Sequence, residues 1–378
     1  MDTAETTTTP CIIEHFRPIT EPRILLKTRH KLIDIIAITL CGVIAGADDW
    51  TEIADFGKAK EEWFRKFLEL PSGIPSHDTF GRVFARIRPE EFEQCFINWV
   101  RSTFENIAPQ VIAIDGKTSR HSYDKASSKA AIHMVSAWAT DNRLVLGQIQ
   151  TNAKSNEITV IPELLKVLEL NGNIVTIDAM GCQRAIVDQI VEGGGDYVIS
   201  LKGNQGTLHK EVASFFQEAK ADNVKDISFD TFKTTDGDHG RVEVRRFTTT
   251  SEIEWFEDKS RWTKLTSFGM VETERHIGDK VTYETRYYIS SLASDAKTFG
   301  YAARGHWGIE NGLHWILDVA FKEDDSRIRN GHAPTNLSII RHFALNLIKH
   351  DKTKQRGVKA KRKRAGWDDQ YLSQLLGI

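Results

Sequence analysis

Hydrophobic positions along the chain change their period near residue 108. Before it, apolar residues recur at helical spacing; after it, short apolar runs of strand length alternate with helical stretches. LIDIIAITLCGVIAGA, from Leu32 to Ala47, is apolar almost throughout and reads as a buried helix ending near Gly46. Asp49 or Thr51 is placed to cap a second helix, Gly57 interrupts it, and KAKEEWFRKFLEL resumes the helical period up to Pro71. Ser76 stands as an N-cap for HDTFGRVFARI, and Pro89 falls in the first turn of EEFEQCFINWVRSTFENI. The pattern predicts an all-helical domain over residues 1–107, with Arg82, Arg86 and Arg88 near one another. A helix-turn-helix on DNA and a purely structural scaffold both fit that grouping.

From Val111 the pattern is that of strands. VIAID is a short apolar run ending in an acid at Asp115. IHMVSAWATD and LVLGQIQT form a hairpin through Asp141–Asn142, and EITVIPELLKVLEL returns to helical spacing. IVTID repeats the first motif, ending at Asp178; a helix from about Cys182 to Glu192 and the strand YVISLKG follow. Three strands followed by alternating helices and strands imply an α/β fold: a ribonuclease-H-like mixed sheet flanked by helices. Between about 227 and 292 the chain is β-rich again (HGRVEVRRFTTT, LTSFGMVETERHI, VTYETRYYISS), which predicts an inserted antiparallel β region. A helix carrying RGHWGIENGLHWILDVAF and a last one, APTNLSIIRHFALNLIKH, close a domain over 108–350, leaving 351–378 as a basic tail.

Composition narrows the class. A chain of 378 residues with 40% hydrophobic and 27% charged residues buries a real core, so global disorder is excluded. Four dispersed cysteines (Cys11, Cys41, Cys95, Cys182) offer neither a disulfide framework nor a thiolate zinc site. The apolar run at Leu32 is shorter than the roughly 20 residues of a membrane span, and MDTAETTTTP lacks the layout of a secretory signal. A cytoplasmic protein with no membrane partner is expected. The net charge of -2 hides an asymmetry: residues 1–105 carry 13 Lys and Arg against 17 Asp and Glu, whereas Arg327 to Arg364 carries 12 against Asp351 alone. Such a basic block suits a polyanion such as DNA, although a merely solvated tail has the same composition.

Two strands ending in aspartate are weak evidence singly, because Asp after a strand is commonly a turn residue. If the strands are neighbours, both carboxylates emerge at one end of the sheet, where open α/β sheets place their sites. Paired carboxylates repel unless a cation sits between them. With a third acid they can hold two Mg²⁺ ions about 3.5–4 Å apart around a scissile phosphate, Mn²⁺ being a substitute. Glu310 is a candidate third acid: Ile309, Leu313, Ile316, Leu317 and Ala320 make an apolar stripe, beside which His306, Glu310, His314 and Asp318 recur every four residues. Periodicity leaves open whether Glu310 reaches the sheet or pairs on the helix surface. A zinc site from His306, Glu310 and His314 would spread over about 12 Å of helix, an unfavourable geometry.

The strings AIDGKTSRHSYD, KSNEITVIPELL, TIDAMGCQ, GGDYVISLKGNQG, HGRVEVR, RYYISS and HWGIENGLHWILDVAFKEDDSRIRNGHAPTNLSIIRH resemble the H-repeat-associated insertion-sequence transposase family. The likeness includes the N-terminal IPSHDTFGRVFARIRPEEFEQCFINW. It implies a DDE transposase with a ribonuclease-H-like core, in which Asp115, Asp178 and Glu310 are catalytic and hold the metal. It further implies DNA as substrate, at element ends and target, and a homodimer in the synaptic complex. The sequence departs from wider relatives, which carry a Tyr and an Arg before the Glu and a Lys seven residues after it: His306 and Leu317 stand at the Arg and Lys positions, with Tyr301 and Arg304 displaced. Further DNA contacts are sought at Lys117, Lys202, Asn204, Arg241, Arg245, Arg304, His306, Trp307 and His314. Two alternatives remain at this stage: a metal-dependent nuclease without strand transfer, and a DNA-binding relic without catalysis.

Overall fold

The computed structural model describes residues 12–104, 108–123, 130–151, 157–221, 227–238, 240–353 and 355–378. The threonine-rich N-terminus with Cys11, the KSN of KSNEITV, His239 and Lys354 lie outside the described residues.

The N-terminal segment is helical: α1 (Leu32–Ala45), α2 (Trp50–Ala59), α3 (Glu61–Phe64), α4 (His77–Phe84) and α5 (Pro89–Thr103). The Asp49 carboxylate accepts from the backbone N–H of Glu52, capping α2 as expected, whereas Ser76 makes no such bond at α4. Gly57 does not break α2. It sits inside the helix because a Cβ there would meet Ile74 at 2.8 Å, so a small residue serves packing rather than termination.

The sheet contains β1 (Val111–Thr118), β2 (His133–Ala139), β3 (Leu144–Gln150), β4 (Ile174–Ile177) and β5 (Asp196–Leu201), with α6 (Glu157–Lys166), α7 (Arg184–Glu192) and α8 (Thr207–Ala221) between them. The inserted strands β6 (Asp230–Asp238), β7 (Arg241–Thr250), β8 (Ser267–Ile277) and β9 (Lys280–Ser290) do not form a separate layer. β9 pairs with β5, giving one nine-stranded sheet in the order β3-β2-β1-β4-β5-β9-β8-β7-β6. β1, β4 and β5 run parallel, β2 is antiparallel to β1, and β3 is antiparallel to β2, which is the ribonuclease-H-like arrangement. After the sheet come α9 (Ala296–Ile309), a π-helical turn (Glu310–His314), α10 (Trp315–Phe321), α11 (Ala333–His350), α12 (Val358–Trp367) and α13 (Asp369–Leu376).

Apolar packing divides by sheet face. Ile161, Leu164, Val187, Ile190, Val212 and Phe216 bring α6, α7 and α8 onto one side. On the other, Trp138 and Val145 join Leu313, Leu317, Phe343, α1 and α5 in one continuous core. The N-terminal helices therefore share their core with α11 to α13. The basic segment over 351–378 is folded as well, as α12 and α13. Tyr371, Leu372 and Leu376 pack into that core. Buried Arg362 donates to the Val43 carbonyl (Nη2 2.8 Å) at the end of α1 and to Asp48 Oδ1 (3.0 Å). A charge count could not reveal this, since the apolar face that docks the segment lies mostly beyond the basic run. Lys352, Arg356, Lys359 and Lys363 remain exposed. No helix among the described residues is long and apolar enough to cross a membrane.

Candidate active site

β1 and β4 are adjacent and parallel, with Ile114 opposite Ile177. Asp115 and Asp178, the next residue on each strand, therefore emerge at the same end of the sheet. Asp178 lies just beyond β4, where its Oδ1 accepts from the Met180 backbone N–H (2.8 Å) and turns the chain out of the strand. Asn204 ties the neighbouring loop to this turn, donating to the Ala179 carbonyl at 3.0 Å. That loop holds the Lys202 amine 3.7 Å from Asp178 Oδ2.

Glu310 arrives from across the sheet. Helix α9 crosses β1 and β4 closely because Gly305 lies on Val111, where a Cβ would approach to 2.8 Å. The backbone then loosens into the π turn at Glu310–His314, a device found often at functional sites. Gly312 is pressed against Trp138, with space for a Cβ only 2.7 Å from its ring. The Lys349 amine donates to the Gly312 carbonyl (2.9 Å) while lying over the same Trp138 ring. The turn brings buried His314 between two acids: its Nδ1 is 3.0 Å from Glu310 Oε2 and 3.7 Å from Asp115 Oδ2. One ligand atom from each of Asp115, Glu310 and His314 lies within 4.8 Å of the others. The every-fourth-residue spacing puts Glu310 and His314 on one face of the helix but gives no sign of Asp115 beside them.

The acids at the site are only partly compensated. Burial pushes the Asp115 carboxyl up to about 6; His314 opposes the shift, while Glu157 and Asp178 add to it. Glu310 is held below its ordinary range, chiefly by the hydrogen bond from His314. Burial drives His306 down to about 4, and its Nδ1 has no partner. Glu157 went unnoticed in the sequence, since nothing in the pattern relates the start of α6 to Asp115. Its carboxylate is 2.7 Å from His133 Nε2, and both crowd the backbone at Gly116, where a Cβ would come within 2.3 Å of each.

Asp115, Asp178, Glu310, His306, Trp307 and Lys202 line one open cavity of about 420 Å³. The other candidates disperse. Lys117 turns its amine to Asp318 (2.7 Å) and Asp324 (3.2 Å). Arg241 and Arg245 pair with buried Glu243, and Arg304 with Asp236. These three arginines flank a second cavity of about 400 Å³ that also reaches Trp307 and Glu310. Trp307 is exposed, with the Arg286 guanidinium 4.6 Å from its ring centre.

An α/β sheet with acids at the ends of adjacent parallel strands and a third delivered by a helix defines the catalytic-domain class of DDE transposases. Residues 107–347 match the family described as Transposase DDE domain, and residues 13–100 match the one described as DDE_Tnp_1-associated. The chain belongs to the H-repeat-associated transposases of that class. It is 41% identical to "H repeat-associated putative transposase YhhI" of Escherichia coli K12, covering 97% of each chain. It is 43% identical to "Putative transposase YncI" of Escherichia coli O157:H7, covering 97% of this chain and 94% of that one. A cryo-EM structure of the piggyBac transposase synaptic complex with hairpin DNA aligns at a TM-score of 0.44 and 13% identity, over 98% of this chain and 79% of that one.

Proposed function

We propose that the chain mobilises an insertion sequence by metal-dependent phosphodiester hydrolysis at the element ends, followed by attack of the freed 3′-hydroxyl on target DNA. The observation that carries the reading is the convergence of Asp115, Asp178 and Glu310 on one cavity, with Asp115 pushed up to about 6 by burial and, to a lesser extent, by Glu157 and Asp178. Such a carboxylate set fits a divalent cation, which removes the repulsion, and oxygen-rich ligation favours Mg²⁺ or Mn²⁺. Asp115, Asp178 and Glu310 would hold it, in two copies if all three acids share the load. Bound there, the cation supplies Lewis-acid activation of water and of the scissile phosphate.

The protein's own groups do the rest. The strand ends fix two carboxylates on rigid backbone, and α9 with the π turn fixes the third. Lys202, largely exposed beside Asp178, is free to meet a phosphate oxygen on the incoming strand. Trp307 and the arginine-lined cavity continue the surface away from the acids, a course suited to DNA backbone. Two copies of the chain would hold the two ends of the element together.

Incubation of the purified protein with labelled element-end DNA and Mg²⁺ tests the reading. Nicked and joined products are expected, both lost with EDTA. Nicking without joining would establish a nuclease instead, and DNA binding with neither product a catalytically silent relative.

A further inference from the structure

We infer that His314 is itself a ligand of the cation at this site, making the centre a mixed Asp–Glu–His set rather than a carboxylate-only one. The inference rests on the metal-dependent reading above and adds a ligand that the DDE pattern does not supply. Three observations carry it. First, a single imidazole nitrogen, Nδ1, faces carboxylate oxygens of both Glu310 (3.0 Å) and Asp115 (3.7 Å). One N–H at Nδ1 satisfies one of them; a lone pair at Nδ1 directed at a shared cation satisfies all three groups. Second, His314 is 5% exposed and fixed by the π turn, so its position is set before any ligand arrives. Third, one ligand atom from each of Asp115, Glu310 and His314 lies within 4.8 Å of the other two, so one cation can touch all three.

An imidazole in the ligand set changes ion preference. Nitrogen ligation favours Mn²⁺ and Co²⁺ over Mg²⁺, which keeps to oxygen and water. The full-length protein, freed of metal and titrated with Mn²⁺ alone, should give an electron spin echo spectrum with the ¹⁴N modulation of a directly bound imidazole. His314→Asn should lose that modulation and bind Mn²⁺ about tenfold more weakly or worse, while His306→Asn keeps it. Mg²⁺ should displace Mn²⁺ more easily from the His314→Asn protein than from the wild type. Wild-type Mn²⁺ binding that Asp115→Asn abolishes, but without imidazole modulation, would overturn the inference and leave the three-acid reading standing. Modulation that survives in His314→Asn and vanishes in His306→Asn would overturn it as well. No Mn²⁺ binding to the wild type, or binding indifferent to Asp115→Asn, would defeat both. If His314→Asn fails to fold, wild-type modulation that persists in His306→Asn supports the inference, and modulation that vanishes in His306→Asn overturns it.

Discussion

The two ends of the sheet bury carboxylates and treat them in opposite ways. In the inserted strands, Glu243 is 5% exposed on its side chain and is met by Arg241, Arg245 and Arg275. Arg241 and Arg245 come from the same strand, Arg275 from the neighbouring one in register with it. At the ends of β1 and β4, Asp115 meets Asp178 and Glu157 through space. Among the described residues, the basic groups around them, His314, His306, Arg286 and the exposed Lys202, form no shared ion pair with Asp115 like the one on Glu243. The insertion supplies its counter-charges from its own sequence. On the proposed reading the acidic end takes its counter-charge from a bound cation, and that contrast separates a structural ion network from a candidate cation site.

The largest effect that sharpens the contrast is on chemistry. Asp115→Asn, Asp178→Asn and Glu310→Gln keep side-chain volume and remove the charge that holds metal, so cleavage of element-end DNA should fall by several orders of magnitude while DNA binding persists. The Asp115 and Asp178 double variant should be little worse than either single one. Glu310→Gln cutting near the wild-type rate would move the third acid elsewhere on the helix, Asp318 first.

Next in size is the structural network. Glu243→Ala leaves three guanidiniums together without their shared carboxylate, and urea unfolding should show a loss of about 2 kcal/mol, below the range for a fully buried pair because the arginines are partly exposed. An unchanged midpoint would mean that the arginines simply turn to water. Of comparable or smaller size is a pH effect at the acidic end. Asp115 has a folded pKa raised to about 6 from 3.8, so its neutral form is favoured by folding. The associated stability is fully present below about 4 and is lost as pH rises to about 6, on the order of 2 kcal/mol in EDTA. The difference between wild type and Asp115→Asn in thermal unfolding, followed from pH 4 to 7, should carry that slope; a flat difference would break the comparison. Smallest is Lys202→Ala. A largely exposed amine 3.7 Å from Asp178 contributes little to folding, whereas its loss should flatten the salt dependence of DNA binding by about one unit if it meets a phosphate.

The sequence was most informative where local pattern decides structure. Period and breakers located the first helix, the two strands that end in Asp115 and Asp178, and the β-rich stretch near 230–290. Resemblance then singled out Glu310 among the acids of its helix. What stayed illegible depends on distant partners. The π turn arises from Gly312 packing on Trp138 and from Lys349 reaching the Gly312 carbonyl, contacts between residues far apart in the chain. Glu157 joins the acidic neighbourhood only because a glycine at 116 makes room for it. The C-terminal basic run gave the charge of its segment but not its docking, since buried Lys361 and Arg362 end on carbonyls of α11 and α1.

Thermal unfolding of wild type and Asp115→Asn at pH 7.5, each in EDTA and in excess Mn²⁺, tests the central claim that the acidic end is completed by a cation. In EDTA the Asp115→Asn protein should melt higher than wild type, because one of several crowded charges is gone. In Mn²⁺ the wild type should gain several degrees and the variant little, which reverses or closes the gap. A variant less stable than wild type in EDTA, together with a wild type indifferent to Mn²⁺, would show that Asp115 belongs to a self-sufficient ion network like that of Glu243.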